Sequence, residues 1–335
     1  MDTVFHDTFP RLVGDIGGTN ARFALIRAPG APLDAMRTLP CADFPGPAEA
    51  IERFLGEAAH PRPAWCALGI ASPVDGDLVR MTNHCWTFSI RELQARLALA
   101  HLQVLNDFTA LALALPVLRA SELQQVGGGR AIDGRAIGLL GAGTGLGVSG
   151  LTPCGADFVP LAGEGGHVTL PASDPHEAAI IAWLARHHSH VSAERVLSGP
   201  GLVALHAAEA AISGRPVPGL TAEEITRQAI AGTSAPCVAA VNSFCAFLGT
   251  VAADLALTLG ARGGVYIGGG IVPSLGPLFA RSRFRARFED KGRYSAYLAQ
   301  IPTWVIQAPY PGLIGAARAL ERTAANQASA ISSVG

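Results

Sequence analysis

The chain has 335 residues, enough for one large domain or two ordinary ones with a sizeable core. Hydrophobic residues make up 49% and charged residues only 15%, which argues against a disordered chain. A net charge of −1 offers no basic field for a phosphate backbone and so argues against nucleic-acid binding.

The start, Met1 to Asp7, carries no basic segment followed by an apolar run and is not read as a signal peptide. The first predicted strand is Arg11 to Ile16. It runs through Gly17-Gly18-Thr19-Asn20 into a second strand, Ala21 to Ile26, and a glycine turn between two apolar runs predicts a hairpin. Residues 46–59 read as a helix with Ile51, Phe54 and Leu55 on one face, and residues 64–71 as a buried strand. Residues 89–99 read as a helix opened by a capping box of Ser89 and Glu92. A short strand at 102–105 leads into an apolar helix over 107–118.

A similar pattern then returns: a strand at 136–140, the turn Gly141-Ala142-Gly143-Thr144-Gly145, and a strand at 146–151. Gly18-Thr19 and Gly143-Thr144 fall at matching points of the two hairpins. Helices follow at 174–188, 199–213, 221–231 and 234–260. Strands at 264–268 and 301–306 and a helix at 312–322 close the chain, with an Ala- and Ser-rich tail from Ala324 expected to fray. Strands alternating with helices predict an α/β protein. No run near 18 uninterrupted apolar residues is present, so no membrane span is expected.

Two residue types narrow the chemistry. Lys291 is the sole lysine and lies in Asp290-Lys291-Gly292-Arg293, so the chain has neither a Walker loop nor the early-strand lysine of a protein kinase. The six cysteines, Cys41, Cys66, Cys85, Cys154, Cys237 and Cys245, make no CxxC pair, which gives no zinc or redox motif and fits a reduced, cytoplasmic protein.

Several constellations can carry chemistry. In Asp15-Ile16-Gly17-Gly18-Thr19-Asn20, glycines let backbone amides approach a phosphate, and Asp15 at the strand end can hold magnesium through water. An ordinary hairpin explains the same glycines. The second turn loosely matches GxGxxG, but Leu146 replaces the third glycine and a strand follows, so dinucleotide binding is rejected. Asn106-Asp107 sits at a strand-to-helix junction, where Asp107 is either a helix cap or a general base for a hydroxyl. Glu164-Gly165-Gly166-His167 and Glu194 supply acceptors suited to a polyhydroxy ligand, and are a weak set for zinc. Gly268-Gly269-Gly270 ends a buried strand, where either a flat ring or a strained turn would require glycine.

Taken in order, LVGDIGGTNARFAL (12–25), MTNHCWTFS (81–89), LNDFTA (105–110), GAGTGLG (141–147), EGGH (164–167), SAERVLSGPGL (192–202), YIGGGIVP (266–273) and FEDKGR (288–293) resemble the bacterial ATP-dependent glucokinase family across nearly the whole chain. The resemblance implies the actin-like sugar kinase fold: two RNase H-like lobes around a central cleft. The small lobe would comprise residues 1–117 plus 311–330 and the large lobe residues 118–310. It implies phosphorylation of glucose at the 6-hydroxyl by ATP and magnesium, the first step of glycolysis. Asp107 resembles the catalytic base and, with Asn106, Glu164, His167 and Glu194, the sugar ligands. Gly14, Asp15, Ile16, Gly17, Gly18 and Thr19, together with Gly143 and Thr144, resemble the phosphate loops, and Gly268, Gly269 and Gly270 the adenosine contact. Related sugar kinases carry a cysteine-rich zinc motif after the Glu-His site. None follows His167, so no structural zinc is expected. Related repressors carry a DNA-binding module, for which the short segment before Arg11 leaves no room. Ring ligands on both sides of the lobe break predict lobes that close on the sugar, and the low charged fraction points to a homodimer. The alternatives are a kinase for another hexose or an N-acetylhexosamine, and a non-catalytic sugar sensor.

Overall fold

Strand β1 (Arg11–Ile16) sets the first layer by alternation: Leu12 and Ile16 enter one hydrophobic cluster and Val13 another, as a side-chain period of two requires. The structure, a computed structural model, describes residues 8–57, 62–214 and 219–332. Met1 to Asp7, and the end of the helix expected over 46–59, lie outside the described residues. The chain divides into two units, Met1–Leu118 with Ala308–Gly335, and Arg119–Gln307.

In the first unit, β1 pairs antiparallel with β2 (Asn20–Ile26), which pairs antiparallel with β3 (Asp34–Pro40). On its other side β1 runs parallel to β4 (Trp65–Ile70), and β4 runs parallel to β7 (His101–Asn106), giving the order β3-β2-β1-β4-β7. One face buries Phe23, Phe54 and Trp86, with Phe54 supplied by α1 (Pro47–Glu57). A separate hairpin, β5 (Leu78–Arg80) with β6 (Thr87–Ser89), precedes α2 (Ile90–Arg96). The Ser89 hydroxyl accepts from Glu92 N as expected. The carboxylate serving this helix end is Asp77, which accepts from Ser89 Oγ at 2.7 Å and from Arg91 N at 2.9 Å. Helix α3 (Asp107–Ala114) follows β7 directly, and its Thr109 to Ala114 are buried all round, which explains its lack of a polar face.

The second unit repeats the arrangement. Strands β9 (Ile137–Ala142) and β10 (Leu146–Cys154) form the antiparallel hairpin, β11 (Asp157–Leu161) extends it, and β12 (Val265–Gly268) and β13 (Thr303–Ile306) continue parallel to β9. The order β11-β10-β9-β12-β13 matches β3-β2-β1-β4-β7 strand for strand, with β8 (Leu123–Val126) added antiparallel at the β13 edge. The echoed glycine turns are therefore the same corner of two RNase H-like sheets. The β10 strand after Gly145 agrees with the rejection of a dinucleotide fingerprint.

Helices α4 (Pro175–Leu184), α5 (Gly199–Ser213), α6 (Ala222–Ala231) and α7 (Ala235–Leu259) build the core of this unit. By length and composition α7 alone among the described residues could cross a membrane, yet most of it is buried among the other elements of its unit. Four short helices, α8 (Ile271–Leu275), α9 (Pro277–Ala280), α10 (Phe284–Glu289) and α11 (Ser295–Ala299), lie between β12 and β13.

The chain then returns to the first unit as α12 (Pro311–Ser332). The helix expected over 312–322 is longer: it runs past Ala324 for eight more residues to Ser332. Alanine is the best helix former, Ala324 is buried in the cluster of Val13, Trp65 and Leu320, and the Ser329 hydroxyl donates back to Ala325 O.

Candidate active site

In the first unit, the junction of β7 and α3 presents Asn106 and Asp107. Asn106, and not Asp107, is the helix cap. Its Oδ1 accepts from Phe108 N at 2.9 Å and from Thr109 N at 3.1 Å, so two of the orphan amides of the first turn are satisfied. Asp107 is the first helical residue, and its Oδ1 accepts from Phe108 N at 2.8 Å. Capping therefore does not account for the Asp107 carboxylate. The backbone under it is confined by two glycines. A Cβ on Gly69 of β4 would lie 3.2 Å from Ala110 Cβ and 3.6 Å from Asp107 Cα. A Cβ on Gly315 of α12 would fall inside the Ala110 carbonyl.

Asn106 also reaches outward. Its Nδ2 approaches Ser72 O at 3.4 Å, and the buried Ser72 Oγ accepts from Thr82 N at 2.7 Å. The next residue, Asn83, closes on the glycine turn: its carbonyl would lie 2.9 Å from a Cβ on Gly18. Ser72 and Asn83 thus connect the Asn106 junction to the β1–β2 turn, a link with no signal in sequence spacing.

That turn is held from below. Gly17 N donates to Asn20 O at 2.9 Å, Cys41 N donates to Thr19 O at 2.8 Å, and the Cys41 thiol donates to Gly17 O at 3.4 Å. The amides of Gly18 and Thr19 make no hydrogen bond among the described residues. Gly14 and Ile16 face inward: a Cβ on Gly14 would meet Leu68 Cδ2 at 2.6 Å, and Ile16 is fully buried.

Asp15 shares its strand face with Val13 and so lies under α12, where a Cβ on Gly312 would come within 2.9 Å of Asp15 Cγ. Burial pushes the Asp15 carboxyl above the ordinary carboxylate range, opposed by Arg22, whose Nη1 lies 3.4 Å from Oδ2. A raised folded-state value means that the folded protein binds the proton more tightly than the unfolded chain. Stability is then full below the ordinary carboxylate value and falls as pH rises through the raised one. Asp15→Asn is accordingly expected to melt higher than the wild type at pH 7–8, and the two melting curves should converge below about pH 4. An Asn variant that melts lower at neutral pH would contradict this.

The second unit gathers the other acceptors around one residue, Leu146. In the β9–β10 turn, Gly143 N donates to Gly145 O at 2.8 Å. Leu146 N donates to Glu194 Oε2 at 2.9 Å. Gly165 and Gly166 let the Glu164–His167 turn lie flat on β10: a Cβ on Gly165 would come within 2.8 Å of Val148 Cγ1, and one on Gly166 would fall on Leu146 O. Glu164 and His167 are both more than half exposed, with Oε2 and Nε2 4.0 Å apart. Ser198 caps α5, accepting from Gly201 N at 3.0 Å while donating to Glu194 O at 2.8 Å, and Gly199 N donates to Gly143 O at 2.8 Å. Leu146 and Ser198 are thus members of the site that the sequence reading missed.

Gly268–Gly270 resolves differently. Gly269 has φ +77°, and a Cβ there would fall on Ala142 O, while a Cβ on Gly141 would lie 2.6 Å from Gly268 C. The glycine requirement at Gly141 and Gly269 is met by the β9–β12 backbones themselves, and no flat ring is needed to explain it. Gly270 opens onto free space. Among the described residues no three His, Cys, Asp or Glu side chains converge as a metal site.

The glucokinase family model matches residues 12–323. The glucokinase of Aromatoleum aromaticum is 58% identical over 98% of this chain and 99% of its own length. That of Chromobacterium violaceum is 50% identical over 95% and 91%. Among solved structures, a glucokinase from an Antarctic psychrotroph shares 38% identity and superposes with a TM-score of 0.84 over 93% of this chain and 99% of its own. Two sheets of one repeated order, a glycine turn at the same corner of each, and this agreement over almost the full length place the chain in the glucokinase family.

Proposed function

We propose that the protein transfers the γ-phosphoryl group of ATP to the 6-hydroxyl of glucose, giving glucose 6-phosphate and ADP. The observation that carries the catalytic assignment is the division of labour at the β7–α3 junction. Asn106 caps the helix, which leaves the Asp107 carboxylate, fixed by the Phe108 amide, as the base. Phosphoryl transfer asks the protein mainly for position and charge neutralisation. Asp107 accepts the proton of the 6-hydroxyl as its oxygen bonds to phosphorus and the bond to the ADP oxygen breaks. Asn106 offers Nδ2 to the sugar, since its Oδ1 is committed to the helix. Glu164, His167 and Glu194 hold the remaining hydroxyls. The amides of Gly18 and Thr19, and the Gly143-Thr144 turn, hold phosphate oxygens, with Gly14, Ile16 and Gly17 shaping the first turn from beneath. Gly268 and Gly269 set the β12 end, and Gly270 faces the adenosine.

Asp15 fits a magnesium ion: it is a mostly buried carboxylate whose charge burial disfavours and which Arg22, at 3.4 Å, offsets only in part, so a dication bound with phosphate and water would relieve the remaining cost. Bound there, magnesium supplies charge neutralisation on the β- and γ-phosphates. A cytoplasmic homodimer remains the assembly favoured by the low charged fraction and by six free cysteines.

The test is kcat/KM for glucose, mannose, galactose, fructose and N-acetylglucosamine. Inverting one hydroxyl leaves a ligand without its partner, and for a polar group that the bound sugar covers this costs about 1–3 kcal/mol, more if it is charged. Glucose is expected to exceed galactose by at least about 100-fold, with mannose better tolerated. Preference for fructose or an N-acetylhexosamine would replace glucose as the substrate, and no phosphorylation of any sugar would leave the sensor reading.

A further inference from the structure

We infer that the backbone of Gly145 and Leu146 is a positioning element for the sugar ligands of the second unit, so that a residue of the phosphate turn sets glucose affinity. This rests on the reading of Glu164, His167 and Glu194 as sugar ligands.

Leu146 is used on both sides, through the amide of the Gly145–Leu146 peptide and through the carbonyl of the peptide that follows. Its amide, Leu146 N, holds Glu194 Oε2 at 2.9 Å. The Leu146 carbonyl is the surface on which Gly166 of the Glu164–His167 turn rests, close enough to exclude any side chain at 166. A Cβ on Gly145 would fall on the Glu194 carboxylate, so only glycine lets that carboxylate reach the amide. The main chain of Glu194 is held independently by the Ser198 hydroxyl at 2.8 Å, so the side chain cannot swing clear without losing its bond to Leu146. One carboxylate oxygen is thereby anchored, while Oε1 makes no hydrogen bond among the described residues and stays available to accept from a hydroxyl. Displacing the anchor moves the acceptor, and a shift of about 1 Å can cost roughly 100-fold in a positioned site.

Gly145→Ala, Glu194→Ala and the double variant, titrated calorimetrically with glucose and separately with ADP, test this. Gly145→Ala is expected to raise the glucose Kd at least about tenfold while the ADP Kd changes far less. The double variant should bind glucose no worse than Glu194→Ala, because the two changes act through one contact. A general loss of structure would weaken both ligands together. If Glu194→Ala loses glucose while Gly145→Ala binds it as the wild type does, the positioning inference fails and the sugar site stands. If Glu194→Ala binds glucose normally, the sugar-ligand reading fails and takes the inference with it. Should Gly145→Ala not fold, amide hydrogen exchange over residues 143–148 decides: glucose should slow it in the wild type and not in Glu194→Ala, and exchange indifferent to glucose in both overturns the inference.

Discussion

Asp107→Asn is expected to lower kcat by roughly 10²–10⁴-fold while glucose affinity stays within a few-fold of wild type. The substitution is close to isosteric, and an Asn oxygen can still accept from the Phe108 amide now held at 2.8 Å. The cap is untouched, because Asn106 supplies it. The substitution gives up the favourable position of a negative charge in the first turn of α3, about 0.3–1 kcal/mol, so the melting temperature should fall only slightly. Such a variant separates the base from the scaffold: binding survives and proton removal does not. Activity within a few-fold of wild type would remove Asp107 from the base role.

Gly315→Ala is expected to act from the opposite side of the same helix. A Cβ there would coincide with the Ala110 carbonyl, which belongs to buried backbone and cannot rotate aside. Alanine has the better helix propensity by about 0.5–1 kcal/mol, but overpacking against a fixed neighbour costs about 1–3 kcal/mol or more, so destabilisation wins. The melting temperature should drop by several degrees. Because α12 and α3 would have to separate, Asp107 should move with its helix and kcat fall by up to about 100-fold. Gly56→Ala in α1 is the control: nothing lies within 4 Å of its Cβ position, so stability should hold or rise. Calorimetry and steady-state rates on the two variants distinguish a specific close approach from general intolerance of change at glycine.

The central strands β1, β4 and β9 were legible because burial on both faces makes them continuous apolar runs, and β1 and β9 also end at glycine turns. The missed strands β3, β8 and β11 are sheet edges. In β3 most residues are exposed, and β11 contains Pro160, so neither shows the pattern that burial imposes. The short β5 and β6 are three residues each, too few to show any period. At the β7–α3 junction, Asn and Asp are nearly equal caps, so propensity could not decide between Asn106 and Asp107, and the hydrogen bonds did. The tie between Leu146 and Glu194 joins residues 48 apart, and the closure of Gly315 on Ala110 spans the greater part of the chain. Motif spacing located the candidate residues, but contacts of that range exist only once both sheets are built.

The return of α12 to the first unit bears on how the protein is made. The cluster of Val13, Ala24, Trp65 and Ala67 takes all its buried helical residues, Leu313, Ala316, Leu320 and Ala324, from this last helix. On the ribosome, residues 119–307 must be translated before that helix exists. At about 5–20 residues per second this delay is roughly 10–40 s, during which one apolar sheet face of the nascent chain has no cover. The first unit therefore cannot finish folding in the order in which it is synthesised. A message truncated before Pro311 would release a chain with a permanently bare sheet face, a substrate for chaperones or aggregation rather than a smaller enzyme.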